Sequence, residues 1–388
     1  MKISILGHGI TAKAVRAKIA ELGFLEVSVD EADLIVSSPG IPVEALPVGG
    51  AEVISEIEFA YRLFVQRGRR PFIIGVTGTN GKSTVTSMIA HLAKISFAGN
   101  IGVPLISFVG KEPEAIVVEL SSFQLEKCVQ FRPDVGIILN VAPDHLDRHH
   151  SMANYMDQKL KLFQAQGPSD VILFPKSDTH IAEKVDVFPS RKSAVSLPDP
   201  ATQSWENTRL SGEHNRINIV FAIRAVALLG TPERQVRQRS RSFDGLTHRL
   251  EFVAKAKGRN FFNDSKATNP DATLTAVKAF DAPVHLILCG QEKGIDLTSF
   301  VQALQSQVAS ITVFGEIADI VAEISSKNNP DFRLFRVNSL NEALDKTVSN
   351  SGDESIILFS PGSSSMDQFK NFEDRGDQFK QQVMDSYV

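Results

Sequence analysis

Gly75-Val-Thr-Gly-Thr-Asn-Gly-Lys-Ser-Thr84 decides the fold. It lies between an apolar run of strand length, Phe72-Ile-Ile-Gly-Val76, and a helical pattern from Ser83 to Lys94. Strand, glycine-rich turn and helix in that order make a phosphate-binding loop: glycines let successive N–H groups face phosphate oxygens, and the helix start adds its positive end. Lys82 is spaced to reach the outer phosphates and Ser83 to ligate magnesium. Gly78, Thr79, Asn80, Gly81 and Thr84 complete the expected cradle. Val76 stands where the general pattern has its first glycine, so the turn is a variant, Thr-Gly-Thr-Asn-Gly-Lys-Ser. A glycine-rich surface turn is the bland alternative, but it does not account for Lys and Ser placed together at a helix start.

Moving outward, short apolar runs recur between amphipathic segments of helix length. They are Ile3–Leu6, Ala115–Glu119, Gly136–Leu139, Val171–Phe174, Val284–Cys289, Ile311–Phe314 and Ile356–Phe359. That alternation predicts parallel sheets covered by helices, the doubly wound α/β architecture. A chain of 388 residues is long enough for two or three domains. Joints are expected at Arg69-Arg-Pro71 and at Phe243-Asp-Gly-Leu246, giving domains over 1–67, 68–245 and 246–388.

Composition narrows the function. A net charge of -4 supplies no global positive field to gather nucleic acid or an anionic membrane, so an anionic ligand must be held locally. The arginines at 234, 237, 239 and 241 are spaced as the solvated face of a helix. Two cysteines, Cys128 and Cys289, are too few for a disulfide framework and are not paired as metal ligands; Cys289 reads as core. The amino terminus enters a strand directly, and no apolar run approaches the ~20 residues that span a bilayer. A cytoplasmic protein is expected.

Nucleotide use requires a metal holder, and the strand Ala115–Val118 ends in Glu119, where a carboxylate would face the nucleotide crevice as the magnesium partner of Ser83. Taken alone, a strand-ending glutamate is equally a solvent-facing one. Gly7-His-Gly-Ile-Thr-Ala12 fits a dinucleotide-binding turn after a strand, with Asp30 near the distance of a ribose-binding acid. An NAD-binding protein is therefore a second reading.

The ordered set beyond the phosphate loop is Glu119-Leu-Ser-Ser-Phe-Gln-Leu-Glu126, Leu139-Asn-Val-Ala-Pro-Asp-His-Leu-Asp-Arg148, Leu210-Ser-Gly-Glu-His-Asn215, His248-Arg249, Asn263-Asp-Ser-Lys-Ala-Thr-Asn269 and Ser365-Met-Asp-Gln-Phe-Lys-Asn-Phe372. In this order it resembles the Mur ligases over nearly the whole chain. The Ser-Ser-Phe-Gln block and the carboxy-terminal segment resemble the branch that joins D-glutamate to UDP-N-acetylmuramoyl-L-alanine. A related ADP-forming ligase using another amino acid is the alternative.

The resemblance implies three domains: a Rossmann-like first one for the UDP moiety, a P-loop central one for ATP, and a Rossmann-like third one that closes over nucleotide and amino acid. It implies ATP and magnesium as cofactors, UDP-N-acetylmuramoyl-L-alanine and D-glutamate as partners, no nucleic acid or membrane, and a monomer, working through an acyl phosphate in peptidoglycan precursor synthesis. Lys82, Glu119, His145 and Lys159 become the catalytic set, with Ser83, Glu119, His145 and Lys159 holding two magnesium ions once Lys159 is carbamylated. Carbamylation turns a cation into an anion suited to magnesium. The residues alone leave Lys159 open as a solvated helix lysine and His145 as a loop residue bonded to Asp144 or Asp147. Asn215, Asn218, Arg249 and Asp264 match nucleotide or closure contacts. Thr11, Ser38, Pro39 and Gly40 match the diphosphate site, and Ser121 and Gln124 lie beside the muramoyl-alanine end; Asn100 matches a nucleotide or closure contact and is counted with the substrate-binding positions. For D-glutamate the matching positions are Thr268, Lys293, Ser365 and Phe372, with Lys266 adjacent; helix packing is the alternative for Phe372.

The first domain departs from the family. Gly23–Ser38 is much shorter than the usual second βα unit, and Asp30-Glu-Ala-Asp33 is too short for a parallel crossover of a dozen residues. The uracil pocket is expected to be rebuilt or partly missing.

Overall fold

The computed structural model of the chain describes residues 1–46, 50–197, 199–200, 205 and 213–388. Each apolar run lies on a strand, with ends moved by one to three residues where they differ. Two compact units divide the chain: Met1–Asn207 with Asn215–Phe243 form the first, and Thr208–His214 with Asp244–Val388 the second.

The first unit holds two parallel sheets. One is built from β1 (Lys2–Leu6), β2 (Leu25–Glu26), β3 (Leu34–Ser37) and β4 (Glu52–Ser55), in the order β2-β1-β3-β4. The other contains β5 (Phe72–Thr77), β6 (Ser96–Gly99), β7 (Ala115–Glu119), β8 (Val135–Ile138), β9 (Val171–Pro175) and β10 (Arg191–Val195), in the order β10-β9-β8-β5-β7-β6. Its central strands are buried from their second residue onward or throughout, which is why they read as continuous apolar runs rather than alternating ones.

The shortened segment is resolved in an economical way. β2 keeps only two residues, paired in parallel with Lys2 and Ile3, and a single 3-10 turn, Val29–Glu31, leads toward β3 on the other side of β1. The crossover that seemed too short is thus made without a helix. Asp30 lies in that exposed turn, beyond the end of β2.

One hydrophobic core runs through both sheets, from Ile3 and Ile54 to Phe64, Ile116 and Phe163. Buried carboxylates tie the two sheets together. Glu56 accepts from Ile106 N at 2.5 Å, and Glu58 accepts from the backbone of Val129, Gln130 and Phe131 at 2.8–3.0 Å. Paired in this way, a buried charge need not be left unsatisfied.

The second unit is a six-stranded sheet of β11 (Glu251–Ala256), β12 (Arg259–Asn263), β13 (Val284–Cys289), β14 (Ser310–Phe314), β15 (Leu334–Arg336) and β16 (Ile356–Gly362), in the order β11-β12-β16-β13-β14-β15. All neighbours are parallel except the β11–β12 hairpin. Lys257 and Gly258, with φ of 48° and 75°, make its tight turn, where both central residues need positive φ. Cys289 is fully buried, as its apolar surroundings predicted.

Candidate functional site

The phosphate loop joins β5 to the helix Lys82–Ala93. Gly78 and Gly81 take φ of 149° and 84°, and a Cβ on Gly81 would lie 2.8 Å from Asn218 Oδ1, so the buried Asn218 packs against the loop. Asn140, which sequence reasoning did not single out, braces the turn: its side chain accepts from Asn80 N at 2.8 Å and donates to Asn80 O at 3.0 Å. Thr79 Oγ1 donates to Ala142 O and accepts from Ala142 N. The signal was available, since Asn140 opens the Asn-Val-Ala-Pro-Asp-His segment already quoted. Lys82 Nζ donates to Gly78 O and Thr79 O, both at 2.8 Å.

Glu119 ends β7 beside Val76 of β5 and is 1 % exposed. One carboxylate oxygen accepts from Asn100 Nδ2 at 2.8 Å; the other, Oε2, is buried and has no hydrogen-bond partner. Asn100 therefore orients the carboxylate. Thr84 Oγ1, next to the buried Ser83 on the same helix start, is likewise without a hydrogen-bond partner. An orphaned buried carboxylate oxygen with hydroxyls on the adjacent helix start is a hard-oxygen donor set that fits magnesium. Among the described residues no three His, Cys, Asp or Glu side chains converge, so such an ion would complete its shell from phosphate and water.

The helix Met152–Leu160 presents Tyr155 and Lys159, one turn apart, to the same loop. Lys159 is 1 % exposed, donates to Gly78 O at 2.9 Å, and lies 4.2 Å above the Tyr155 ring. It is not a solvated helix lysine. Burial, and then the nearby Lys82 charge, hold its pKa well below the ordinary lysine value, with Asp144 opposing them. His145 has a left-handed backbone (φ 53°), and its Nε2 lies 3.5 Å from Asp144 Oδ2. Its ring packs on Phe123 at 4.8 Å and edge-on toward Tyr155 at 6.4 Å. Lys82, Lys159 and Tyr155 thus contact one loop, with the His145 ring beside Tyr155.

Ser121 and Gln124 serve each other: they form a reciprocal capping box on the short helix Ser122–Leu125. Asn215 is buried at the start of the helix Glu213–Leu228; the Leu210–Gly212 part of its motif lies outside the described residues. In the first sheet Thr11 lies in the opening turn of the helix Ile10–Glu21, and Ser38-Pro-Gly40 follows β3. Ser38 Oγ is buried without a partner and sits against Gly7, where a Cβ would be 2.2 Å away. The two turns meet closely enough to require glycine.

The second unit gathers the remaining positions at the carboxyl ends of β12, β13 and β16. Asp264 is buried; burial pushes its carboxyl up to about 6 while Arg249, Ser360 and Leu250 N counter it. Arg249 Nε is buried without a hydrogen-bond partner. Thr268 and Lys293 line one cleft with Gln291, Gly362 and Ser363, and Lys293 Nζ donates to Thr268 O at 3.2 Å. Ser365 is buried and does not line that cleft. Lys266 lies over the Phe372 ring at 5.3 Å, forming a separate pair.

Sequence reasoning missed Arg375. It is fully buried, and its guanidinium donates to Ser265 Oγ, Ser265 O and Ser363 O at 3.0, 2.8 and 3.0 Å, tying together the loops that carry Thr268 and Ser363. A charged residue three positions beyond Phe372 carries no signal of burial.

A phosphate loop on one unit and a mainly parallel α/β sheet with cation-bearing loops on the other define a nucleotide-using α/β enzyme. Family sequence models agree: one described as Mur ligase middle domain matches residues 76–228, and one described as Mur ligase, glutamate ligase domain matches 248–362. The chain belongs to the Mur ligase family and is an ATP-dependent, ADP-forming ligase. It is 36% identical to the UDP-N-acetylmuramoylalanine–D-glutamate ligase of Caldanaerobacter subterraneus subsp. tengcongensis, covering 96% of this chain and 88% of that one. It is 35% identical to the protein of the same name from Pelotomaculum thermopropionicum, over 97% and 88%. Among solved structures, the fold is similar to MurF ligase from Thermotoga maritima in complex with ADP (TM-score 0.66, 14% identity, 99% of this chain and 95% of that chain). It is also similar to UDP-N-acetylmuramate-alanine ligase MurC from the same organism (TM-score 0.62, 19% identity, full coverage of both).

Proposed function

We propose that this ligase joins D-glutamate to UDP-N-acetylmuramoyl-L-alanine in the cytoplasm, releasing ADP and phosphate. A carboxylate resists amines because its carbon is a poor electrophile and oxide a poor leaving group. Phosphorylation removes both obstacles. The L-alanine carboxylate oxygen attacks the γ-phosphorus of ATP, the bond to the bridging oxygen of ADP breaks, and an acyl phosphate forms. The amine of D-glutamate then attacks the acyl carbon, phosphate departs, and the nitrogen gives up a proton.

Phosphoryl transfer needs mainly positioning and charge neutralisation. In this reading Lys82 leaves the loop carbonyls for the outer phosphates, while Ser83 and Glu119 hold one magnesium ion. Lys159, as a carbamate, holds a second with His145. Magnesium would supply charge neutralisation of the phosphates. The depressed Lys159 pKa supports the carbamate, because only a neutral amine attacks carbon dioxide. Asn215, Asn218, Arg249 and Asp264 serve the nucleotide side. Thr11 and Ser38–Gly40 receive the diphosphate, with Ser121 and Gln124 shaping the acceptor end through their cap. Thr268 and Lys293 take the D-glutamate side-chain carboxylate, with Lys266, Ser365 and Phe372 around them. The domains 1–67, 68–245 and 246–388 divide these tasks.

The observation that carries the reading is the buried, unpartnered Glu119 oxygen at the mouth of a phosphate loop. Its test is phosphate release with UDP-N-acetylmuramoyl-L-alanine, ATP and magnesium, comparing D-glutamate with L-glutamate, L-lysine and meso-diaminopimelate. Turnover confined to D-glutamate is expected. Equal turnover with another amino acid, or none with any, would sink it.

A further inference from the structure

Lys127 follows the Ser122–Leu125 helix of the central sheet and is 5 % exposed. Its carbonyl accepts from Ser55 N at 3.0 Å. Its ammonium reaches into the first sheet, donating to Ser37 Oγ at 3.1 Å and Ile41 O at 2.8 Å. Ser37 and Ser55 are the last residues of β3 and β4, so Lys127 straddles the carboxyl edge of that sheet, where α/β folds bind ligands. Arg148 converges on the same carbonyl: its Nη2 donates to Ile41 O at 3.2 Å and to Glu126 Oε2 at 2.6 Å.

We propose that Lys127 is a positioning residue for the UDP-linked substrate: it holds the Ser37–Ile41 loop in the conformation that receives the diphosphate. This rests on the diphosphate reading given above. Within its own sheet the loop has little bracing. Ser38 N donates to Leu6 O, and Ile41 N closes a turn onto Ser38 O. The neighbouring βα unit that could have supported it is reduced to two paired residues and a 3-10 turn. The grip comes from the central sheet, through Arg148, whose charge is met by Glu126, and Lys127, whose ammonium has only neutral acceptors among the described residues and adds positive potential where a diphosphate would bring negative charge.

Lys127 is also a titrating brace. Burial lowers its ammonium to about 8, with Arg148 acting in the same direction and Glu126 and Glu44 opposing. The charge, and the strength of its two hydrogen bonds, is therefore present below about pH 8 and lost above it.

The experiment uses the full-length protein and steady-state phosphate release. Lys127→Met keeps the apolar stem and removes the donors. Its KM for UDP-N-acetylmuramoyl-L-alanine should rise about tenfold, the equivalent of roughly 1.4 kcal/mol. Its kcat and its KM values for ATP and D-glutamate should stay within about twofold of wild type. By calorimetry, wild-type affinity for the same substrate should weaken about threefold between pH 7.0 and pH 8.8, as the ammonium loses its proton. Wild-type turnover with an unchanged substrate KM in Lys127→Met overturns this inference and leaves the function standing. A parallel loss in kcat and every KM overturns it in favour of a general structural role. Should Lys127→Met not fold, a wild-type affinity that is flat across that pH range overturns it. Absence of wild-type turnover overturns the function itself, and this inference with it.

Discussion

Replacing Arg375 with Met tests what holds the Thr268 and Ser363 loops in place. The side chain is fully buried in the second unit, and three of its donors meet Ser265 Oγ, Ser265 O and Ser363 O at 2.8–3.0 Å. Hydrogen bonds from a charged donor contribute about 1.5–3 kcal/mol each, so three give roughly 5–9 kcal/mol. Against this stands the cost of burying the guanidinium, several kcal/mol, which Met does not incur. Met also refills most of the stem volume. The net loss should be about 3–5 kcal/mol, the range for removing one side of a buried charged network. Arg375→Lys, which keeps the charge but not the planar fork, should fall between. The single tryptophan, Trp205, lies outside this unit, so unfolding is best followed by far-ultraviolet circular dichroism in urea. Because the same bonds frame the Thr268–Lys293 cleft, KM for D-glutamate should rise in both variants. A loss under about 1 kcal/mol for Arg375→Met would refute the ledger, since three buried acceptors left empty cannot cost so little.

Two further outcomes follow from buried titrating groups. If Lys159 works as a carbamate, purging carbon dioxide should lower activity several-fold and bicarbonate should restore it. Lys159→Ala should lose about 100-fold in kcat and recover part of it with short-chain carboxylic acids, an electrostatic loss of ordinary size for a charge-stabilising group; indifference to both treatments would remove the carbamate. Glu56, fully buried, is pushed by burial from 4.5 to about 7. Its folded state then binds the proton more tightly than the unfolded state, so stability falls as pH rises from about 4.5 to 7, by at most about 3 kcal/mol. Glu56→Gln, which retains an acceptor for Ile106 N, should flatten that dependence in pH-resolved melting curves; an unaltered slope would place the titration elsewhere.

Local patterns carried most of the fold. The phosphate loop and the apolar runs were legible because their physics is contained within a few neighbouring residues: buried parallel strands are continuously apolar, and a phosphate turn needs its glycines in place. The elements that escaped were short or only partly apolar, such as β2 with two residues and β12, Arg259-Asn-Phe-Phe-Asn263. Their existence depends on a partner strand already being present.

The site divided along the same line. Lys82, Ser83 and Glu119 were readable from position on an element, and the family resemblance added Lys159 and His145. What neither supplied was how those groups are held. Asn140 is sixty residues from Asn80, Arg375 is 110 from Ser265, and Lys127 is 86 from Ile41. Each reads in sequence as an ordinary polar residue. Its role arises only when topology brings a distant carbonyl within about 3 Å. The shortened first domain makes the point in functional terms. Sequence reasoning took the short second βα unit to mean a uracil pocket rebuilt or partly missing, and pointed to no replacing residues. Two cations that grip the Ser37–Ile41 loop come from the neighbouring sheet, Lys127 and Arg148, converging on one carbonyl. A domain that sheds internal bracing can keep its ligand loop in place when a shared core fixes it to a neighbour, and here one core runs through both sheets.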